Sequence, residues 1–587
     1  MATKNIHYKI PEKEETVLYP PIRNALELIR NNMREIQYYN FKVVDIPFQT
    51  LRNETRMELL NAALQYTKKI QSLLLQEFHG VCCQNRNVTG KKALDQLSHS
   101  FSCIDAKISH PESFKSIPII LTGHEPILYH PGIWVKNHLA YYLAKHLDGI
   151  SINLIVDSDA CTMGFTYVPL LTKESASIQK VPFVNDKETH AYEEISFEDA
   201  NAIEKFRKEV VALMEKNNHP NIKTHIKNMQ ITFDCFVHQL RHSYLQGCKD
   251  MTGLLTTARK GLEGAFGINN LEIPVSLMCK TKGFYYFFLH ILFNAEHFAK
   301  IYNKKLNDYR NFHKIYSKAN PIPDLKIQES LVETPFWIWE KGGARNKCYA
   351  QFDTDSIMIT NGNQIGLKLK KDEDIQEIVS KLKSLESASS HIKLRPRAIA
   401  TTMFSRVFFS DVFIHGIGGS KYDAITDEII KEFLNVNPPN YITASTTLFL
   451  PVETHDIDTE KLHALEKELV DIRANPERYA SERTNQDLLF LKSVDEKHEL
   501  IEKMRDKDTD KEKRKQLFNQ IKELNMSIFN QINHEFKDKQ KTLTAIKEKI
   551  AYNKVIKCRE YPICIFPFKA LKVHFANVFC GSKNTDK

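Results

Sequence analysis

The chain lacks any apolar run long enough to cross a membrane. A spanning helix needs about 20 apolar residues in succession. The most apolar stretch, Phe284–Phe293, stops well short of that and contains His290. It predicts a buried helix, with no membrane as partner. The opening residues, MATKNIHYKIPEKEE, lack the apolar core of a secretion signal. Cysteine occurs 11 times, an odd number, without framework spacing. Cys82 and Cys83 are adjacent, and no CxxC pair occurs. Neither a disulfide scaffold nor a metal centre is expected, and the pattern is that of reduced thiols in the cytoplasm. Concentrated charge is also missing. The 81 Lys+Arg against 72 Asp+Glu leave a net charge of +9 scattered over 587 residues. Nucleic-acid binders carry a basic stripe instead, so nucleic acid is not the expected partner. The GxxxxGK[ST] phosphate loop is absent as well.

What is present is ordinary globular composition, 42% hydrophobic and 26% charged, in a chain long enough for several domains. Residues 1–115 read as a helical layer. Ile22, Leu26, Ile29, Met33 and Ile36 recur at helical spacing, as do Met57, Leu60, Ala63 and Leu64. At Ser116 the pattern changes, and 116–455 reads as an α/β core. SIPIILTG predicts a strand ending at Gly123. Pro131-Gly132 opens a helix to about His146, and ISINLIVDSDA is the next strand. Strand, loop, helix and strand form a βαβ unit, which predicts a parallel sheet. Residues 196–320 are mostly helical around a short strand, LEIPVSLMC. Within 330–372, PFWIWEK and KCYAQFD flank Gly342-Gly343, a hairpin turn in a small antiparallel β insertion. Later, DVFIHGIGGSKYD reads as strand, glycine turn and helix start, and YITASTTLFLP as a further strand. Over 456–556 an apolar stripe runs through Leu517, Ile521, Leu524, Ile528, Ile532 and Phe536, with charge between. It predicts an antiparallel coiled-coil arm. The apolar tail in 557–587 is expected to return to the core.

Four places can carry chemistry. In LTGHEPILYHPG, Gly123 ends a strand and Gly132 lies at a helix start, whose free N–H groups and dipole suit an anion. His124 and His130 add proton donors there. In HGIGGSKYD, the residues His415, Gly416, Gly418, Gly419, Ser420, Lys421 and Tyr422 form a glycine turn open to a ligand backbone-close, with Lys421 as a charge. Asp157 and Asp159 end a strand, where carboxylates can bind a ribose or an amine. Arg395 and Arg397 are a candidate carboxylate or phosphate clamp. Each has a structural alternative: a plain turn, a solvated strand end or surface charge. Trp337 and Trp339 read as sheet-face residues, and Cys161 as an inert thiol.

Two of these segments resemble a known family. ILTGHEPILYHPGIWVKNHLAYYLAK is similar to the first core motif of the bacillithiol synthases, the putative cysteine-adding enzymes. RPRAIATTMFSRVFFSDVFIHGIGGSKYD is similar to the second, through Arg395, Pro396, Gly416, Gly418 and Tyr422. The order of parts agrees along nearly the whole chain. The resemblance implies a Rossmann-like parallel-sheet core with a coiled-coil arm, and a ligase joining the cysteine carboxyl group to the amine of glucosaminyl malate. The chain departs from the family where it has His124 and Glu125 for two glutamines. It also has DSDAC for an acidic run with histidine, and Gly419 and Lys421 for a glutamate and a small residue. Three functions compete on these residues. One is amide-forming ligation, with ATP as the activating cofactor and a small-molecule substrate. The second is nucleotidyl transfer on the same loops. The third is a binding or assembly protein that uses the arm, with a homodimer through the arm or the core. In the ligase, His124, His130 and Lys421 stabilise developing charge, and Asp157 or Asp159 handles the amine.

Overall fold

The computed structural model describes residues 9–75 and 116–580, apart from 163, 174, 185–189, 318, 388–389 and 483. Six strands form the central sheet: β1 (Thr16–Tyr19), β2 (Ile119–His124), β3 (Ile150–Ile155), β4 (Leu271–Pro274), β5 (Val412–His415) and β6 (Ile442–Thr446). Their order across the sheet is β1-β6-β5-β2-β3-β4. The five strands β2 to β6 run parallel, and β1 closes one edge antiparallel to β6. The α/β architecture with a mostly parallel sheet is therefore present. The parallel strands are apolar on both faces because helices cover both. β1 stands in the segment read as wholly helical. Its four residues are too few to show a period, and pairing with β6 alone fixes them.

Alternate residues of β2 enter different cores. Ile119 and Leu121 pack with Ile425 and Ile429 of the helix Ile417–Phe433. Ile120 packs with Leu139 and Leu143 of the helix Pro131–His146. The helix after β2 thus leaves on one face, and the helix after β5 on the other. Between neighbouring strands this divergence opens a crevice at the carboxyl ends, where open α/β sheets bind their ligands.

A second sheet is antiparallel: Leu331–Glu340, Asn346–Phe352, Ser356–Thr360 and Gly366–Lys370 follow one another, and Ile392–Pro396 pairs with Leu331–Glu340. Arg395 and Pro396 therefore end a strand, and the helix begins only at Ala398. A hairpin, Phe165–Leu171 with Ala176–Pro182, lies beyond β3. Toward the C-terminus the helices Thr459–Ala474, Leu488–Arg505, Lys511–Gln531 and Asn533–Ile556 enclose a small core of Ile472, Phe490, Ile528, Ile532 and Phe536. Ile521 and Leu524 are half-buried. The chain then returns to the main core, where Tyr561 and Ile563–Phe566 are buried and the Ile563 N–H donates to the Tyr129 carbonyl at 2.7 Å. Among the described residues no helix is long and apolar enough to cross a membrane.

Candidate functional site

Ile414 of β5 lies opposite Thr122 of β2, so the two strands end together, with His124 on the face of Ile120 and Tyr129 and His415 on the opposite face beside Phe413. His124 is the last residue of β2. It lines a cavity of about 240 Å³ with Glu125, His130, Ile133 and Glu560. Its ring meets Tyr129 edge-on, with centroids 5.6 Å apart. Burial, then Lys136 and His130, hold it well below the ordinary histidine range, so the imidazole is neutral. Glu125 beside it accepts from the Tyr192 hydroxyl at 3.2 Å. Burial and then Asp159 push its carboxyl up to about 7.

His130 caps the helix that Pro131 opens. Its Nδ1 accepts from the Gly132 N–H at 3.1 Å, and its carbonyl takes the N–H groups of Ile133 and Trp134. The free amides expected at this helix start are thus already satisfied. A cap must be neutral to accept, and burial, Arg559 and Lys136 push His130 down to about 3. Gly132 is required by close packing. A Cβ there would lie 2.7 Å from Arg559 Nη2 and 2.8 Å from the Thr446 carbonyl. A Cβ on Gly123 would lie 3.0 Å from the Leu154 carbonyl.

The glycine turn divides in two. His415 is buried, with Nε2 2.8 Å from Asp423 Oδ2, which Arg406 holds at 2.5 Å. Its ring lies on Gly419, where a Cβ would come within 3.1 Å of Nδ1. Ser420 Oγ donates to the Gly416 carbonyl at 2.9 Å and lies 2.7 Å from Thr443 Oγ1. These residues build the turn. Gly416 and Gly418 face open space, and the helix starting at Ile417 has no side-chain cap. Lys421 and Tyr422 are exposed, and Lys421 makes no ion pair among the described residues.

The carboxylates and arginines are engaged elsewhere. Asp157 accepts from the Ser276 N–H at 3.0 Å and its hydroxyl at 2.5 Å, holding the turn after β4. Burial and then Glu193 push it up to about 7. Asp159 pairs with Arg345 at 3.2 Å. Arg395 is buried, takes Glu193 in a fork at 2.8 and 2.9 Å, and also holds Glu386. Arg397 pairs with Glu333 at 2.8 Å and lies over the Trp337 ring at 4.2 Å. The two arginines fasten the second sheet and do not form an open clamp. Trp339 is buried and donates to Glu194 Oε1 at 2.9 Å.

Two basic residues at this edge escaped the sequence reading. Lys136 is 3% exposed, and its Nζ donates to the Gly123 carbonyl at 2.6 Å. No carboxylate pairs with it among the described residues, and burial alone pushes its amine down to about 7. Arg559 reaches in from the returning tail, where Nη2 donates to Ser445 Oγ at 3.1 Å. A lysine one helical turn after Gly132, on an otherwise apolar face, is the signal that was available for the first.

Lys136 gives a pH dependence of known sign. The unfolded amine holds its proton up to about 10.5, the folded one only to about 7. Between those values the unfolded state binds more protons, so stability rises with pH. Urea unfolding from pH 7 to 10 should show that rise in the wild type and lose it in Lys136→Met. An equal rise in both proteins would reject the assignment.

A larger cavity, about 1070 Å³, lies beside Leu75, Cys235 and His238, away from the strand ends. Arg207 and Asp234 on its wall pair at 2.7 Å. Among the described residues no group of His, Cys, Asp and Glu is placed to hold a metal ion. No protein-family model matches the chain. No curated protein matches it.

Proposed function

We propose that the chain is a ligase-like enzyme on a Rossmann-like core, similar to the bacillithiol synthases, that joins an amino-acid carboxylate to an amine. The observation that carries this is the strand order. Taken in chain order, the parallel strands run outward from β2 to β4 and then restart beside β2 with β5. That reversal is the topological switch point at which doubly wound sheets bind nucleotides and other small ligands. The loops of the two motifs, after His124 and after His415, both leave from it. The four helices of 459–556 serve as an antiparallel coiled-coil arm. The thiols of Cys248, Cys279, Cys348, Cys558 and Cys564 are free, which suits the reducing cytoplasm.

Within this reading the uncapped helix start at Gly416–Gly418 would hold phosphate oxygens, with Lys421 near its first turn. ATP bound there supplies activation of the carboxylate. Neutral His124 donates to the developing oxyanion, and Glu125, which titrates near neutrality, accepts the amine's proton. Glu125 replaces Asp157 in that role, because Asp157 is occupied by Ser276. Nucleotidyl transfer is the second reading, favoured by the same open helix start.

Thermal-shift measurements on the full chain with ATP, amino acids and sugar amines test the proposal. A ligand at about 100 times its Kd adds about 2.7 kcal/mol of stability. Mass spectrometry of the mixture should then find an amide. If neither ATP nor an amino acid moves the melting temperature and no amide forms, the reading is rejected.

A further inference from the structure

Two basic side chains, Arg559 and His130, border Gly132, and Lys136 stands near enough to act on His130. A Cβ built on Gly132 would lie 2.7 Å from Arg559 Nη2 and 2.9 Å from His130 Cε1, so both groups border one point. Lys136 stands one turn further along the same helix face, with Nζ 2.6 Å from the Gly123 carbonyl. Arg559 Nη1 is buried and has no acceptor. His130 accepts through Nδ1, which leaves its ring proton on Nε2 as a donor. Glu560 and Glu125 line the adjoining cavity. Glu560 is exposed, and Glu125 is bound by Tyr192. Glu560 acts on the Arg559 charge from outside without an ion pair, and no carboxylate pairs with Lys136 among the described residues. Buried polar groups are ordinarily hydrogen-bonded and buried charge paired, and here Arg559 Nη1 has no acceptor and the Lys136 ammonium has no carboxylate among the described residues.

We propose that Lys136, His130 and Arg559 form a subsite for an anionic group of the ligand, a carboxylate or a phosphate. The inference rests on the strand-end edge being the ligand site, and it assigns a part of that edge to charge. The tail after the arm thereby completes the site, since Arg559 comes from that tail and the other two from the helix Pro131–His146. The anion would accept from Arg559 Nη1, His130 Nε2 and the ammonium form of Lys136.

The test is anion binding to the full chain, with inorganic pyrophosphate in one arm and succinate in the other. Each is titrated by calorimetry and thermal shift against wild type, Lys136→Met and Arg559→Gln. At least one anion should stabilise the wild type, and each variant should bind it about 10- to 100-fold more weakly, the loss of one charge-assisted hydrogen bond. Below about pH 7, where the Lys136 amine is protonated, Lys136→Met should also melt higher than wild type when empty, because a buried cation is gone. Preference for pyrophosphate or for succinate tells which source of the anion the subsite takes. Unchanged affinity in Arg559→Gln, which is only partly buried and should fold, overturns the subsite. So does a wild type that neither anion stabilises. An amide-forming activity that survives both substitutions would overturn the subsite while leaving the ligase reading intact. Anion binding without any amide would do the reverse.

Discussion

Asp411→Ala should cost about 3–5 kcal/mol of folding stability, the usual result of removing one partner from a buried ion cluster. Domains as a rule have only about 5–15 kcal/mol in hand. Asp411 stands one residue before β5 and is 4% exposed. Its Oδ1 receives Arg52 and Arg56, both at 2.9 Å, and its Oδ2 accepts from the Ile119 N–H at 2.7 Å. One carboxylate therefore balances two buried guanidinium groups and fixes the start of β2 against β5. Burial and then Arg56 push Arg52 down to about 10. Without Asp411 both arginines keep carbonyl acceptors, Ser410 at 3.0 Å and Ile117 at 2.8 Å among them, but lose the Asp411 carboxylate. Asp411→Asn retains the shape and should still lose much of the stability. Urea unfolding of both variants decides the matter. A cost below about 1 kcal/mol for Asp411→Ala would mean that water reaches the arginines and the cluster is not truly buried.

β2 and β5 are also the strands whose far ends carry the candidate site, and this explains what the sequence made legible. IILTG and VFIHG announce themselves because parallel strands covered on both faces must be apolar throughout, and the glycines mark where the chain turns over the edge. The hairpin Phe165–Leu171 with Ala176–Pro182 carries no such run, because its second strand is mostly half-exposed. The site was legible as loops and not as chemistry. Arg395 and Asp157 have the residue types of a binding site, yet Glu193 and Ser276 occupy them, and those partners lie 202 and 119 residues away along the chain. Lys136 was hidden for the opposite reason. A lysine within a helix usually reads as a solvated face, and its otherwise apolar neighbours are the one sequence hint of the burial that the packing of the helix Pro131–His146 shows. No local rule in the sequence brings the tail back to Gly132.

His124→Ala should lower turnover by on the order of 100- to 1,000-fold, the typical cost of losing a donor to developing negative charge, while leaving the fold almost unmoved. The rate argument rests on place and protonation. His124 ends β2 at the switch between β2 and β5 and lines the strand-end cavity. Burial beside Lys136 and His130 keeps it neutral, so near neutral pH it can donate one proton to an oxyanion and need not first lose a charge. The stability argument rests on what the ring touches. It has one long contact to the Glu125 carbonyl, 3.4 Å, and an edge-on approach to Tyr129. It holds no strand or helix end, unlike His130, whose Nδ1 caps a helix. Removing so few contacts should cost less stability than removing a helix cap. His130→Ala is therefore the control: losing an N-cap should cost about 0.5–2 kcal/mol. Melting curves on both variants and single-turnover rates on His124→Ala test its role. If His124→Ala melts as low as His130→Ala and its rate falls only with the folded fraction, His124 is a packing residue and the reaction must draw its donor from elsewhere on the edge.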